Sequence, residues 1–328
     1  MTPEIVTVGG ITLDWVIDPT GNVNVKACGG NALYSAIGAH FWCESVAVVS
    51  TVGASYPENY LKPFSESGID LQLVQTISEP HELVTGYRYN IEGDRDNVIP
   101  SEELPDNVLD NIAQNCSLFG DGSWSSELRA RVDPRVSQFP KEFSQVKGFH
   151  IGNMSFTSQI EFSRHLHKYS ALYTIDAFAP SCNMDERMQL LNLAPIFLPS
   201  EAQVSWFFAE PCPNLNASLR HFSNNGPKVV AIKIGRQGSL VYDKRKDKQA
   251  NIPAYPVNVV DPTGAGDAYC GGFLAGFIET GDAFEAALRA TVSSSFVIEG
   301  FDARYGLRFG RKEAVERLDR LRYLLRDT

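Results

Sequence analysis

Along the chain, short runs of β-branched and other apolar residues alternate with longer segments whose apolar positions recur every three or four residues. EIVTVG (4–9), SVAVVSTVG (45–53), GFHIG (148–152), LYTID (172–176), PIFLP (195–199) and KVVAIKIG (228–235) predict strands. Several are almost continuously apolar, the pattern of a strand covered on both faces. Helical spacing predicts helices near 30–42, 58–67, 157–169, 183–193 and 201–209, then 265–279, 283–298 and 311–325. The alternation predicts an α/β fold with a mostly parallel sheet and helices on both faces.

Two early segments break this rhythm. DWVIDPTGNVNVKACGG (14–30) predicts a hairpin turning at DPTGN, and ELVTGYRYNIEGDRDNVI (82–99) predicts a second strand pair turning at EGD. Two polar hairpins inserted in an α/β chain predict a small β lid over one end of the sheet. The stretch from about 100 to 147 is polar and broken by Pro and Gly, and reads as a long connection or insertion. All 328 residues are expected to form one domain carrying these additions.

Composition narrows the function. Hydrophobic residues make up 43% and charged residues 21%, ordinary for a globular chain. The net charge of −10 argues against a broad nucleic-acid footprint, while leaving room for a local basic pocket. The start, MTPEIVTVGGITLD, lacks the basic and apolar regions of a signal peptide, and no apolar run is long enough to span a bilayer. Cys28, Cys43, Cys116, Cys182, Cys212 and Cys270 are scattered without a C-x-x-C, as expected for reduced thiols in a cytoplasmic protein.

The chemistry concentrates in VNVVDPTGAGDAYCGGFLAGFIETGD (257–282). YPVNVV (255–260) predicts a strand, DPTG a turn, and a helix begins near Ala265. A helix start presents unpaired N–H groups and partial positive charge, and glycines let an anion approach them closely. Such a turn suits a phosphoryl group in transfer. Asp267 in the first helical turn would repel phosphate. It makes sense if it takes the proton of an incoming hydroxyl. The plainer alternative is an acid that stabilises the helix dipole after an ordinary glycine turn. G-x-G-x-x-G fails at Tyr269, and no P-loop sequence occurs.

VDPTGAGDAYCGGFLAGF resembles the second signature of the PfkB, or ribokinase-like, carbohydrate kinases, D-[TP]-[TV]-G-A-G-D-x-F, with Tyr269 in place of Phe. GGITLDWV, CGGNALYSAIGAHFW and VVSTVGASY resemble the family's first region in the same order, and VVAIKIGRQGSLVY resembles its nucleotide-side strand and turn. The resemblance implies a three-layer ribokinase-like sandwich with a small β lid. It also implies transfer of the γ-phosphoryl group of ATP, with Mg2+, to a hydroxyl of a small sugar, or of a nucleoside. A non-catalytic sugar or nucleotide sensor on the same fold is the alternative from another class.

Carried onto this sequence, the family pattern makes Asp267 the general base and the N–H groups of Gly264, Ala265 and Gly266 the anion hole. Asp14, Gly29, Gly30 and Asn31 match the sugar-binding elements, and Lys233, Gly235 and Gly238 the nucleotide-binding strand and turn. Without the family, Asp14 reads as a surface acid at a turn, Asn31 as a helix cap and Lys233 as a solvated strand residue. Asp261, near Thr263, matches a monovalent-cation site, so K+ is an expectation.

The departures are specific. The family's N-x-x-E motif becomes LPSEAQ, with Ser200 and Gln203 at its ends and Glu201 as the shifted metal candidate. IDAFAPSCNM keeps Asp176 but lacks the Asn and Arg of D-x-N-x-R. A neutral polyhydroxy substrate is therefore expected over a sugar acid or sugar phosphate, unless Arg88 or Arg95 turns inward. His165 and His167, two apart on a helix, are expected to diverge rather than bind metal. The lid hairpins present an edge through which a homodimer could form.

Overall fold

The six predicted strands line up as the inner part of one nine-stranded sheet. The computed structural model describes residues 2–17, 23–81, 83–90, 95–96, 126–139, 142–177, 182–208 and 214–326. In chain order the strands are β1 (Ile5–Val8), β2 (Thr12–Ile17), β3 (Val23–Gly29), β4 (Val46–Gly53), β5 (Val74–Ile77), β6 (Val84–Tyr89) and β7 (Arg95–Asp96). They continue with β8 (Gly148–Ile151), β9 (Tyr173–Ile175), β10 (Ile196–Phe197), β11 (Val229–Lys233), β12 (Ser239–Asp243) and β13 (Lys248–Ile252). The large sheet has the order β13-β12-β11-β10-β9-β8-β1-β4-β5. Every pairing from β11 to β5 is parallel, and β12 and β13 add an antiparallel edge.

Alternate residues of these strands enter two separate cores, as the period-two geometry of a strand requires. Ile5, Val46, Val48 and Val229 face a layer that includes Leu33, Phe273, Leu274 and Val292, from the Asn31–His40, Ala265–Thr280 and Ala283–Val297 helices. Val6, Ala47, Val49 and Val230 face Phe162, Leu190, Leu219 and Phe222, from the Phe156–Lys168, Met184–Leu193 and Leu215–Asn224 helices. Both faces are therefore covered, which explains the continuous apolar runs.

Strand β1 lies between β4 and β8, so the chain fills the sheet first on one side of β1 and then on the other. This reversal opens a crevice at the carboxyl ends of the strands, where ligands bind in sheets of this type.

Four strands form a second sheet in the order β3-β2-β6-β7. The predicted hairpins supply its two antiparallel pairs, and a parallel β2–β6 pairing joins them. The predicted turns at 18–22 and 92–94, and 100–125 of the long connection, lie outside the described residues. Strand β2 is buried along its whole length, unlike the polar hairpin expected, because it is an interior strand of this sheet. Its register with β3 shifts between Asp14 and Val16, a bulge that re-aims the local side chains.

Two further differences are local. YPVNVV is not a strand. Pro256 has no N–H to give a ladder, and the N–H groups of Val260 and Asp261 both donate to Ile298 O. Within the long connection, Ser126–Val132 is helical.

Candidate active site

The GAGD turn stands at the crevice as the start of the Ala265–Thr280 helix. Gly264 is its N-cap, at φ 77° in the left-handed region. A Cβ there would also lie 2.2 Å from the ring of Tyr34, so glycine is required twice over. Ser294 Oγ donates to Ala265 O at 2.8 Å and fixes the first turn against the following helix. Asp267 is half-buried in that turn. The N–H of Ala265 donates to Pro262 O at 3.2 Å, so Gly264 and Gly266 remain as the candidate anion donors of the predicted three.

Asp14 is buried rather than a surface acid, with 2% of its surface exposed. Its Oδ1 accepts hydrogen bonds from Thr12 Oγ1 at 2.6 Å and Thr85 Oγ1 at 2.5 Å. Burial pushes its carboxyl up to about 6; the two hydroxyls oppose this, and the Asp261 and Asp302 carboxylates add to it. Asp261 is also raised by burial, against the hydrogen bonds from Thr263. Its Oδ1 accepts the Thr263 N–H at 2.9 Å, while Thr263 Oγ1 and Tyr89 Oη lie 2.9 Å apart. A lid strand thereby touches the GAGD loop.

Asn31 is the first helical residue, and Gly30, at φ 105°, is the cap. The Asn31 amide acts as a clamp. Oδ1 accepts the Gly10 N–H at 3.1 Å and Nδ2 donates to Asn153 O at 2.7 Å, tying the carboxyl ends of β1 and β8 together.

Lys233 is 9% exposed, not solvated. Its Nζ donates to Asp176 Oδ2 at 2.7 Å and lies 3.4 Å from Cys270 Sγ. Burial disfavours the ammonium, but the adjacent Asp176 outweighs that and the pKa rises above the usual lysine value. Gly235 and Gly238 form the turn after β11, at φ 56° and 96°. Glu201 is exposed at the start of the Glu201–Val204 helix. Its neighbours form the helix cap instead: the Ser200 N–H donates to Gln203 Oε1 at 2.5 Å, and Gln203 Nε2 donates to Ala177 O at 2.9 Å.

Asp14, Asp261 and Asp302 share one electrostatic neighbourhood, Tyr34 links it to Gly264, and Gly266 adjoins Lys233. Glu201 is not drawn into that cluster. Asp302 went unmarked in the sequence. It holds φ 75°, accepts the Cys28 N–H at 2.8 Å and pairs with Arg304 at 2.5 Å, locking a late loop to β3. Tyr34, Tyr89 and Asn153 also went unmarked, since no local motif announces their contacts. Arg88 is half-buried, and the side chain of Arg95 lies outside the described residues. His165 packs between Phe143 and Tyr169 at 5.0 and 5.2 Å while His167 is exposed, so the two do not converge. Among the described residues, Cys28, Cys43, Cys182 and Cys270 are free, no group of three acidic, His or Cys side chains could hold a metal, and no helix is long and apolar enough to cross a membrane.

The chain is 25% identical over 282 residues to a cytidine kinase of Thermococcus kodakarensis, spanning 84% of this chain and 88% of that one. Its fold is similar to Methanocaldococcus jannaschii nucleoside kinase, with a TM-score of 0.70 at 18% identity, over 98% and 100% of the two chains. It is also similar to Arabidopsis thaliana ribokinase complexed with ribose and ATP, with a TM-score of 0.67 at 18% identity, over 97% and 99%. The pfkB family carbohydrate kinase profile matches residues 142–308, just over half of the chain, including Lys233 and the whole GAGD turn. The chain therefore belongs to the pfkB family of carbohydrate kinases, phosphotransferases that act on hydroxyl groups.

Proposed function

We propose that this kinase transfers the γ-phosphoryl group of ATP to a hydroxyl of a small neutral sugar, free or as the ribose of a nucleoside. The observation that carries the reading is Asp267, placed in the first turn of a helix whose left-handed glycine cap opens its N-terminus to an anion. Asp267 takes the proton of the acceptor hydroxyl as that oxygen bonds to phosphorus, and the bond from phosphorus to the β-phosphate oxygen breaks to release ADP. Gly264 and Gly266 face the developing charge. Asp14, with Gly29 and Gly30 beside it, holds the acceptor; the Asn31 clamp keeps the ends of β1 and β8 in place for it. A buried carboxylate repels anionic acceptors, which favours a neutral one. The nucleoside form gains support from the similarity to a cytidine kinase over most of the chain.

Gly235 fits the nucleotide, because nothing lies within 4 Å of where its Cβ would be. Mg2+ would arrive on the phosphates, needing one or two carboxylates rather than a protein cage; Glu201, exposed at its helix start, is the candidate ligand. K+ would sit by Asp261. The free thiols among the described residues favour a cytoplasmic setting, and β3, an outer strand of the lid sheet, offers the homodimer edge, which sedimentation would test. The deciding experiment is an ADP-release screen over pentoses, hexoses, ketoses, sugar acids and nucleosides. Turnover with a neutral sugar or nucleoside is expected. ATP binding without turnover on any of them would favour the sensor instead.

A further inference from the structure

Beside the GAGD turn lies a full positive charge. A Cβ built on Gly266 would be 3.5 Å from Lys233 Nζ, so the ammonium borders the backbone expected to meet the phosphoryl group. Lys233 ends β11 and Asp176 follows β9, which places both at the carboxyl edge of the sheet. They are 9% and 5% exposed. Asp176 uses only Oδ2 on the lysine, and among the described residues its buried Oδ1 has no partner.

A buried ion pair adds little net stability, and one serving the fold alone leaves no reason for an idle carboxylate oxygen. The turn also needs charge. The Ala265 N–H is already taken, so the turn offers fewer donors than the family pattern gives it. Resting on the kinase reading above, we propose that Lys233 is a catalytic residue whose ammonium contacts the transferred phosphoryl group at Gly266, and that Asp176 is the positioning residue that holds it there. As the acceptor oxygen bonds to phosphorus and its proton passes to Asp267, the bond to the β-phosphate oxygen breaks and its electron pair leaves on ADP. Lys233 meets the charge on the phosphoryl oxygens and exchanges no proton.

The test uses the full chain and the variants Lys233→Met, Asp176→Asn and Asp176→Glu, with circular dichroism as a check on folding. Equilibrium binding of ATP and of ADP is measured without acceptor, and kcat and KM with the acceptor that turns over. Lys233→Met should weaken ATP about tenfold while leaving ADP within about twofold, and lower kcat by about 10²–10³-fold. Asp176→Asn should lower kcat with a small change in KM, and Asp176→Glu should restore part of the loss. Adding Asp176→Asn to Lys233→Met should cost nothing further, because the pair acts as a unit. Equal weakening of ATP and ADP, or a kcat within about threefold of wild type, would overturn the proposal with the kinase reading intact. Should Lys233→Met fail to fold, Asp176→Asn decides in the same assays, an unchanged kcat overturning the proposal. A wild-type chain that binds no ATP would overturn both.

Discussion

Asp14 occupies the space that a side chain at Gly29 would need. A Cβ on Gly29 would lie 1.9 Å from Asp14 Oδ2. The two residues belong to neighbouring strands of the lid sheet, so the smallest side chain at one displaces the carboxylate of the other. Gly29→Ala should raise the acceptor KM by about 10–100-fold, the cost of a misplaced charged hydrogen bond, and leave the ATP KM unchanged. An unchanged acceptor KM would remove Asp14 from the binding site.

Asp267→Asn keeps the size and shape of the side chain but loses the ability to take a proton. A fall in kcat of about 10²–10⁴-fold is expected, with ATP and acceptor still bound in equilibrium measurements. A variant within a few-fold of wild type would assign Asp267 to the helix dipole alone.

Burial raises Asp14 from 3.8 in the unfolded chain to about 6 in the fold. Between these values the folded form keeps its proton while the unfolded form has released it, so stability falls as pH rises through this window. Above it the fold carries the whole cost, about 3 kcal/mol at most. Asp14→Asn has no such titration, and its carbonyl can still accept the Thr12 and Thr85 hydroxyls. The variant should be more stable than wild type at pH 7.5 and no more stable at pH 4, by chemical denaturation, while binding acceptor poorly. A stability difference that does not change with pH would contradict the assignment.

The sequence made the central sheet legible wherever strands are covered on both faces, as in Val46–Gly53 and Val229–Lys233. Ser239–Asp243 and Lys248–Ile252 escaped the pattern because they form the sheet's antiparallel edge, and Lys248–Ile252 mixes polar with apolar residues. The Leu215–Asn224 helix was missed because its apolar face is only a few residues. GAGD was legible because its chemistry is local, a glycine turn followed by an acid. Lys233 and Asp176 stand 57 residues apart, and only the succession of β9, β10 and β11 in the sheet brings them together. The Tyr89–Thr263 and Asn31–Asn153 contacts are likewise products of the tertiary fold.

Tyr89 joins the lid to the catalytic turn, so its hydroxyl should govern how firmly the lid closes. The Oη group meets Thr263 Oγ1 at 2.9 Å, and both residues are buried. Thr263 in turn gives its N–H to Asp261 in the loop that leads into the GAGD helix. Tyr89→Phe keeps the ring and its packing but leaves the Thr263 hydroxyl without this partner, a loss of about 1–3 kcal/mol. A looser lid admits water, which competes with the sugar as phosphoryl acceptor. The variant should show faster amide exchange in Val84–Tyr89, a several-fold higher acceptor KM, and more ATP hydrolysis per sugar phosphorylated. Acceptor binding should still increase protection in both lid hairpins, but by less than in wild type. Exchange and the hydrolysis ratio both matching wild type would show that the Tyr89–Thr263 contact does not hold the lid.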